Sequence, residues 1–447
     1  MTSRRLLFVI MLSSVFAYAQ TPAPTSSLRD LHAENQMRAT SKELWKRHSQ
    51  IYGSDIPSEN TGPGSFAYVH ANEQFGHLFE SCLKDPEGAV ISVGTFRGLN
   101  LVSGGKAKDL VLFDYDSHIK LFNLVNLQLI LKARDRYEYM SLLLTGKLNE
   151  PLIFEAKRSK MSVKEFITKV AAPLIVNPQD PPKKWKWKSE GNLIPSAWAK
   201  LGIESPNKED WETLNEKEDA KNLPESEKGS PLNSRLAYQL LNRIPDSLFN
   251  SDRLGTIGDT LFGDDNRFSA VQKMIHEGHV SVVQGDLTKA GTMKAVNDAL
   301  KAGGSPGISA IDVSNVPSYA AAAMTNEGVA EGDAWYRGMK ENWQKTTFTP
   351  NARIFFTNHN TLFRDAEPHH PPVAERPWLR DLEQWYYYSL APKDLEQMDA
   401  VIERIKLRPK NAYQEFQFEL DASFRPSVHG RIKGNPILFV SEHGDCP

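Results

Sequence analysis

The feature that most constrains the fold of this chain is a repeated alternation of short apolar runs with helical patterns. The runs are rich in Val, Ile, Leu and Phe, which is typical of strands buried on both faces. We predict strands at Ala89–Val93, Asp109–Asp116, His279–Asp286, Gly307–Val313 and Arg353–Thr357. Because strands joined by helices pair in parallel through right-handed crossovers, the alternation predicts an α/β fold with a mostly parallel, Rossmann-like sheet.

The end of the chain has a different pattern. A helix predicted over Lys393–Ile405 is followed by two apolar runs, Tyr413–Leu420 and Pro436–Ser441. These runs have no helical pattern between them, so they predict a terminal antiparallel strand pair. Further helices are predicted at Ala67–Leu83, Ile119–Lys132, Ser269–His276 and Ala290–Ala302.

Composition divides the chain into consecutive parts. Residues 20–60 are polar with Pro-, Gly- and Ser-rich flanks, and we predict an N-terminal arm there. Residues 61–149 and 266–447 carry the strand and helix alternation, so they are predicted to be the two halves of one α/β domain. Residues 150–265 lack strand patterns and are predicted to be a helical insertion or lid, because long structureless loops are uncommon inside compact domains.

The first nineteen residues are predicted to be a signal peptide. Arg4 and Arg5 precede an apolar run from Leu6 to Phe16, and Ala17-Tyr18-Ala19 is a small-residue cleavage signal. The apolar run is shorter than the roughly 20 residues that a membrane span needs. We therefore expect a secreted or periplasmic protein, cleaved near Ala19, with no transmembrane segment later in the chain.

Charge and cysteine content limit the partners and the compartment. The formal net charge of −2 gives no general attraction to nucleic acid, so a nucleic-acid partner is not expected. The two cysteines are Cys82 and Cys446. In an oxidising compartment they can pair, or Cys82 can be a buried thiol with Cys446 free in the tail, and the sequence leaves both interpretations open.

The residues that follow the predicted strands are the candidates for a functional site. In open parallel sheets ligands bind beyond the carboxyl ends of the strands, at the point where the strand order reverses. We therefore expect a small-molecule ligand near these ends, where the sequence places Gly94, Gly98, Asp114, Asp116, Asp286, Asn315 and Pro317. Arg97 lies between the two glycines and is interpreted either as an anion-binding group or as a solvated charge.

This order of elements resembles a class I S-adenosylmethionine-dependent methyltransferase domain, over about residues 65–135 and 268–447. The resemblance implies S-adenosylmethionine as the cofactor. Gly94 and Gly98 would then flank its methionine and ribose, and Asp114 or Asp116 would bind the ribose hydroxyls.

The resemblance extends to the later strands. It implies that Asp286 lies near the adenine and that the loop from Asn315 to Pro317 contributes the catalytic or substrate-contacting residues. The glycine turn departs from the family at two positions. Ser92 stands where the family has an acidic residue, and Phe96 stands where it has a glycine.

Simpler structural roles remain open for the same residues. The glycines can form a tight turn, the aspartates can cap helices, and Asn315 and Pro317 can belong to an ordinary turn. Two functions follow: an exported methyltransferase with a helical lid, or a non-catalytic exported protein that keeps the fold and binds another ligand or partner. Export argues against the first, since S-adenosylmethionine is a cytoplasmic metabolite.

Two other patterns receive a structural interpretation. The run Lys183–Lys188 alternates lysine with tryptophan and is interpreted as lid surface, although it can also contact an acidic polymer or lipid headgroups. His359, His369 and His370 lack Cys or carboxylate partners at metal-ligand spacing, so no metal site is predicted. The motifs of serine hydrolases, P-loop enzymes and zincins do not occur.

Overall fold

A computed structural model of the chain describes residues 76–115, 117–179, 194–203, 236, 260–288, 290–360, 384–424, 428–431 and 438–439. These residues form an α/β fold around one eight-stranded sheet, with the strand order β3-β2-β1-β4-β5-β6-β7-β8. The strands are β1 Ala89–Val93, β2 Asp109–Asp114, β3 Val280–Gln284, β4 Ile308–Asp312, β5 Phe348–Asn360, β6 Gln384–Leu390, β7 Val428–Arg431 and β8 Leu438–Phe439. The predicted fold class is confirmed.

The sheet has a parallel part and an antiparallel part. Strands β1 to β5 pair in parallel, whereas β6, β7 and β8 each run antiparallel to the preceding strand. The strand order reverses between β1 and β4, where Ser92 pairs in register with Asp312. This pair of strands is therefore the topological switch point of the sheet.

The helices in the described part of the chain follow the predicted alternation. They are α1 Phe96–Val102, α2 Ser117–Lys132, α3 Arg136–Thr145, α4 Glu150–Ser159, α5 Val163–Ala171, α6 Ile194–Lys200, α7 Asp265–His276, α8 Ala290–Ala302, α9 Pro317–Asn326, α10 Val329–Gln344, α11 Leu395–Lys406 and α12 Ala412–Ser423. A 3-10 helix, Gly76–Cys82, precedes β1 and lies within the segment predicted as the helix Ala67–Leu83, whose first residues are outside the described part.

Two hydrophobic cores cover the two faces of the sheet. Successive residues of β1 point to opposite faces, so Val90 belongs to one core and Ile91 to the other. Helices α1, α2 and α7 contribute to the first core, and α8 to α12 contribute to the second. This arrangement follows from the reversal of strand order, because right-handed crossovers in the two directions place their helices on opposite faces.

One predicted strand is wrong. Residues Tyr413–Leu420 lie within helix α12. The sequence there has apolar residues at alternate positions, but it also has Ala412, Phe416 and Leu420 four residues apart, and all three are buried. The helical period therefore prevails over the strand period. The antiparallel end of the sheet is formed instead by β6, β7 and β8, and β8 lies within the predicted strand Pro436–Ser441.

The longer described elements of the inserted segment are helices. Helices α4, α5 and α6 pack on α3, which itself packs on α2. Ile153, Phe166 and Trp198 are buried in the same core as the first face of the sheet. These helices thus form an outer layer that is continuous with the domain, and a lid role remains a prediction for the rest of residues 150–265.

Candidate functional site

The glycine turn after β1 has a backbone conformation that leaves space on one side of Gly94. Gly94 has a φ of 90°, a conformation that residues with a side chain rarely adopt. Its N–H donates to the carbonyl of Phe113 at 3.1 Å, and its carbonyl accepts from the Asn123 side-chain amide at 3.1 Å. A Cβ atom placed on Gly94 would meet no atom of the described residues within 4 Å. The turn therefore has room for a ligand beside its backbone.

The second glycine has a packing role. Gly98 is buried in the first turn of α1, and a Cβ atom there would lie 2.8 Å from Ser92 Cβ and 2.9 Å from Leu112 Cδ2. Only a glycine lets α1 approach β1 and β2 this closely. Contact between helix and strands thus explains why this residue is a glycine, and the ligand contact that the resemblance implies for Gly98 stays a prediction.

The two departures from the family pattern both lie in the core. Ser92 is fully buried beneath Gly98. The Phe96 ring is 1% exposed and packs edge-on against Phe262 and Phe122, with centroids 5.1 and 6.4 Å away. The ring is therefore directed into the first hydrophobic core, between α1 and α2, and leaves the open side of Gly94 clear.

An ion pair spans the switch point. Arg97 Nε donates to Asp312 Oδ2, and both side chains are almost completely buried. The Arg97 guanidinium carbon also lies 5.9 Å from the centroid of the Phe79 ring, which stacks on Phe355 of β5. Arg97 is thus neither a solvated charge nor a free anion-binding group, because its charge is neutralised by the carboxylate that ends β4.

The aspartates after β2 and β3 have different surroundings. Asp114 ends β2 and is half-buried, and its backbone carbonyl accepts from Gly285 N–H at 2.9 Å. Asp286 Oδ1 accepts from the Thr288 N–H at 2.7 Å and from the Thr288 hydroxyl at 2.6 Å. Asp286 therefore closes a local turn ahead of α8, which begins at Ala290, and does not form the helix cap of the simpler interpretation. Asp116 lies outside the described residues.

The loop after β4 leads directly into α9. Ser314 has a φ of 54°, and its carbonyl accepts from Thr357 N–H at 2.8 Å. The carbonyl of Asn315 accepts from the backbone N–H and the hydroxyl of Ser318, at 3.0 and 2.6 Å. Pro317 is buried as the first residue of α9, where its fixed φ favours a helix start. Because Pro317 is buried, its position does not support the catalytic role that the resemblance suggests for it.

The fold brings most of the predicted residues to one edge of the sheet. Gly94, Asp114, Asp286 and Asn315 all follow the carboxyl ends of neighbouring strands. Two aromatic residues that sequence reasoning missed lie at the same edge, namely Tyr115 after β2 and Tyr319 in the first turn of α9, which are 48% and 54% exposed. The sequence signal that could have found them is an aromatic residue at the end of a strand or in the loop and helix start that follow it.

Most of the histidines and lysines considered as metal or surface contacts lie outside the described residues. Among the described residues there is no group of three or more His, Cys, Asp or Glu side chains arranged to hold a metal ion. His359 lies in β5, whereas Lys183–Lys188, His369 and His370 lie outside the described residues. Within the described part of the chain, every helix is too short or too polar to cross a membrane.

Comparison with known proteins finds one family model that is similar to part of the chain. A family model described as a domain of unknown function, DUF7790, matches residues 68–163. The match covers the glycine turn, β1, β2 and helices α1 to α4. A search of curated proteins found no match.

Proposed function

We propose that this chain is an exported protein that uses a methyltransferase-like sheet to bind a ligand or partner and does not transfer a methyl group. The observation that carries the proposal is the buried ion pair between Arg97 and Asp312. It joins the glycine turn to the end of β4 across the switch point, where an enzyme of the resembled class would hold the reacting groups.

The groups needed for methyl transfer are engaged in the fold. Asp312 is neutralised by Arg97 and is fully buried, so it is not available as a base. Pro317 is buried at the start of α9. Ser92 supplies no carboxylate for a methionine ammonium group, and its hydroxyl is buried and makes no hydrogen bond within the described part of the chain.

The partly exposed groups at the carboxyl edge favour binding. Gly94 offers an open backbone, and Asp114 and Asn315 are half-buried with polar ends. Tyr115 and Tyr319 add exposed rings that can stack on a planar or apolar ligand surface. A carboxylate, an amide and aromatic rings give orientation and contact area without an activated nucleophile or base.

Export is part of the same proposal. It is supported by the predicted signal peptide and by Cys82, which is buried and disulfide-bonded. The sequence contains one other cysteine, Cys446, which lies outside the described residues. Disulfides persist in secreted and periplasmic proteins and are rare in the cytosol, so the bond fits an oxidising destination.

S-adenosylmethionine-dependent methyl transfer is the second candidate. It is favoured by the open side of Gly94 and by the strand order, with Asp114 at the end of β2. In this proposal Asp114 or Asp116 binds the ribose, Asp286 lies near the adenine, and Asn315 positions the methyl acceptor.

Isothermal titration calorimetry distinguishes the two candidates. The purified protein is titrated with S-adenosylmethionine and with S-adenosylhomocysteine. We expect no binding heat with either compound. Saturable heat that is lost in Asp114→Ala, and kept in the control Glu396→Gln on the distant helix α11, would contradict the proposal and support methyl transfer.

A further inference from the structure

A cavity lies at the amino edge of the sheet, opposite the edge with the glycine turn. Its volume is about 330 Å³, and it opens between the starts of β2 and β3 and the last turn of α8. One wall is apolar and contains Val111, Val283 and Val296. This volume is at the lower end of the range for small-molecule sites.

The polar wall of the cavity contains a histidine fixed by a carboxylate. His279 Nδ1 lies 2.8 Å from Asp109 Oδ1, and both side chains are mostly buried. A carboxylate can only accept at this contact, so Nδ1 carries a proton, and Nε2 is an acceptor whenever the ring is neutral. Glu277 lines the cavity as a second carboxylate.

The backbone adds negative potential to these side chains. Helix α7 ends at His276, next to Glu277, and α8 ends at Ala302. The C-terminal ends of helices carry partial negative charge and favour cations. Among the described residues that line the cavity there is no Lys or Arg, although the Lys273 ammonium group lies 3.8 Å from the carboxylate of Glu277.

We propose that this cavity binds a small aliphatic ammonium ion. The apolar wall covers the carbon chain, and the ammonium group donates to Nε2 of His279 beside the carboxylates of Asp109 and Glu277. The site is separate from the carboxyl edge, so it does not depend on the function proposed there.

The test uses n-butylammonium chloride as the probe, with the protein labelled with ¹⁵N-glycine. Gly278 and Gly303 line the cavity, so their amide resonances report on occupancy. We expect saturable shifts of these two resonances. Sodium butyrate, which has a similar carbon chain and the opposite charge, is expected to produce none.

Two variants link the shifts to the cavity. Ala299 lines the cavity from an exposed position on α8, so Ala299→Phe should fill the opening without disturbing the core and should abolish binding. Ala330→Phe, at an exposed position on α10, is the matched control and should bind normally. Asp109→Asn should weaken binding about tenfold or more, because it removes one of the attracting charges.

Three results would overturn the proposal. These are no saturable shift with butylammonium, equal shifts with butyrate, and equal binding by Ala299→Phe and Ala330→Phe. The last of these would show that the shifts arise elsewhere on the protein surface.

Discussion

The two edges of the parallel sheet are organised in opposite ways. At the carboxyl edge, Phe96 and Arg97 of the glycine turn are directed into the core, and Arg97 forms a buried ion pair with Asp312. At the amino edge, Asp109 and His279 form a hydrogen bond on the wall of an open cavity. The edge at which α/β sheets usually bind ligands is here reinforced by packing, whereas a cavity of about 330 Å³ lies at the other edge.

A strand, glycine turn and helix can therefore be maintained by packing alone. Gly98 is required because α1 touches Ser92 and Leu112, a constraint that holds with or without a cofactor. Gly94 is required by its backbone conformation. A glycine pattern of this kind therefore indicates the fold more directly than it indicates a cofactor.

The largest effect is expected from breaking the ion pair at the carboxyl edge. Arg97→Met or Asp312→Asn leaves one buried group without its charged partner and should lower the free energy of unfolding by about 3–5 kcal/mol. Urea denaturation measures the loss. The double variant Arg97→Met/Asp312→Leu should recover much of it, because it removes both charges. Single variants as stable as the original protein would contradict the structural role of this pair.

Gly98→Ala should have the next largest effect. Its Cβ overlaps Ser92 and Leu112, and overpacking of this kind costs about 1–3 kcal/mol. Adding Ser92→Gly should restore part of the stability by removing one of the overlapping atoms. Gly94→Ala is the control, because its cost arises from the positive φ and Ser92→Gly should not relieve it. Equal rescue of both alanine variants in urea denaturation would contradict this distinction.

Asp85 gives a smaller, pH-dependent effect at the amino edge. Its carboxylate accepts from the Thr349 hydroxyl and from the backbone and side-chain N–H groups of Asn351, which joins the entry to β1 with the start of β5. Burial alone would raise the pKa of Asp85, but these hydrogen bonds outweigh it and lower the pKa below its usual 3.8. Folding therefore favours the ionised form of this residue.

The sign of the pH dependence follows from the lowered pKa. The stability contributed by ionised Asp85 is complete well above pH 3.8 and is lost as the pH falls through the lower folded-state pKa. Asp85→Asn should thus cost about 1 kcal/mol near neutral pH and progressively less in acid. Thermal unfolding of both proteins across this range checks the prediction. A difference that does not shrink in acid would contradict it.

The smallest effect on stability is expected at the exposed ring beside the glycine turn. Tyr115→Ala should change the free energy of unfolding by no more than about 0.5 kcal/mol, because the residue is 48% exposed. Leu407→Ala, at a residue that is 81% exposed, is the control. A much larger loss for Tyr115→Ala in urea denaturation would show that the ring stabilises the carboxyl edge and is not mainly a contact for a ligand.

Much of the fold could be predicted from the sequence because it depends on local patterns. Strand β1 and helix α8 have the predicted bounds, and α2 begins two residues before its prediction. In these elements one hydrophobic period dominates. The segment Tyr413–Leu420 contains two competing periods, and only its packing among the second-core helices makes it helical.

The candidate site was less predictable because its decisive contacts join distant parts of the chain. Arg97 and Asp312 are 215 positions apart, so no local pattern indicates their pairing. The direction of the Phe96 ring depends on Phe122 and Phe262, and the sequence gives no distance to either. The amino-edge cavity was missed because its residues occupy the beginnings of strands, where we did not expect a ligand.

The most direct test of the comparison between the two edges is a titration of the ¹⁵N-glycine-labelled protein with S-adenosylhomocysteine. Gly94 and Gly98 report on the carboxyl edge, and Gly278 and Gly303 report on the amino edge. We expect the amide resonances of Gly94 and Gly98 to stay unchanged up to high ligand concentration. A saturable shift of these two resonances, with Gly278 and Gly303 unmoved, would contradict it by showing that the glycine turn still binds the cofactor.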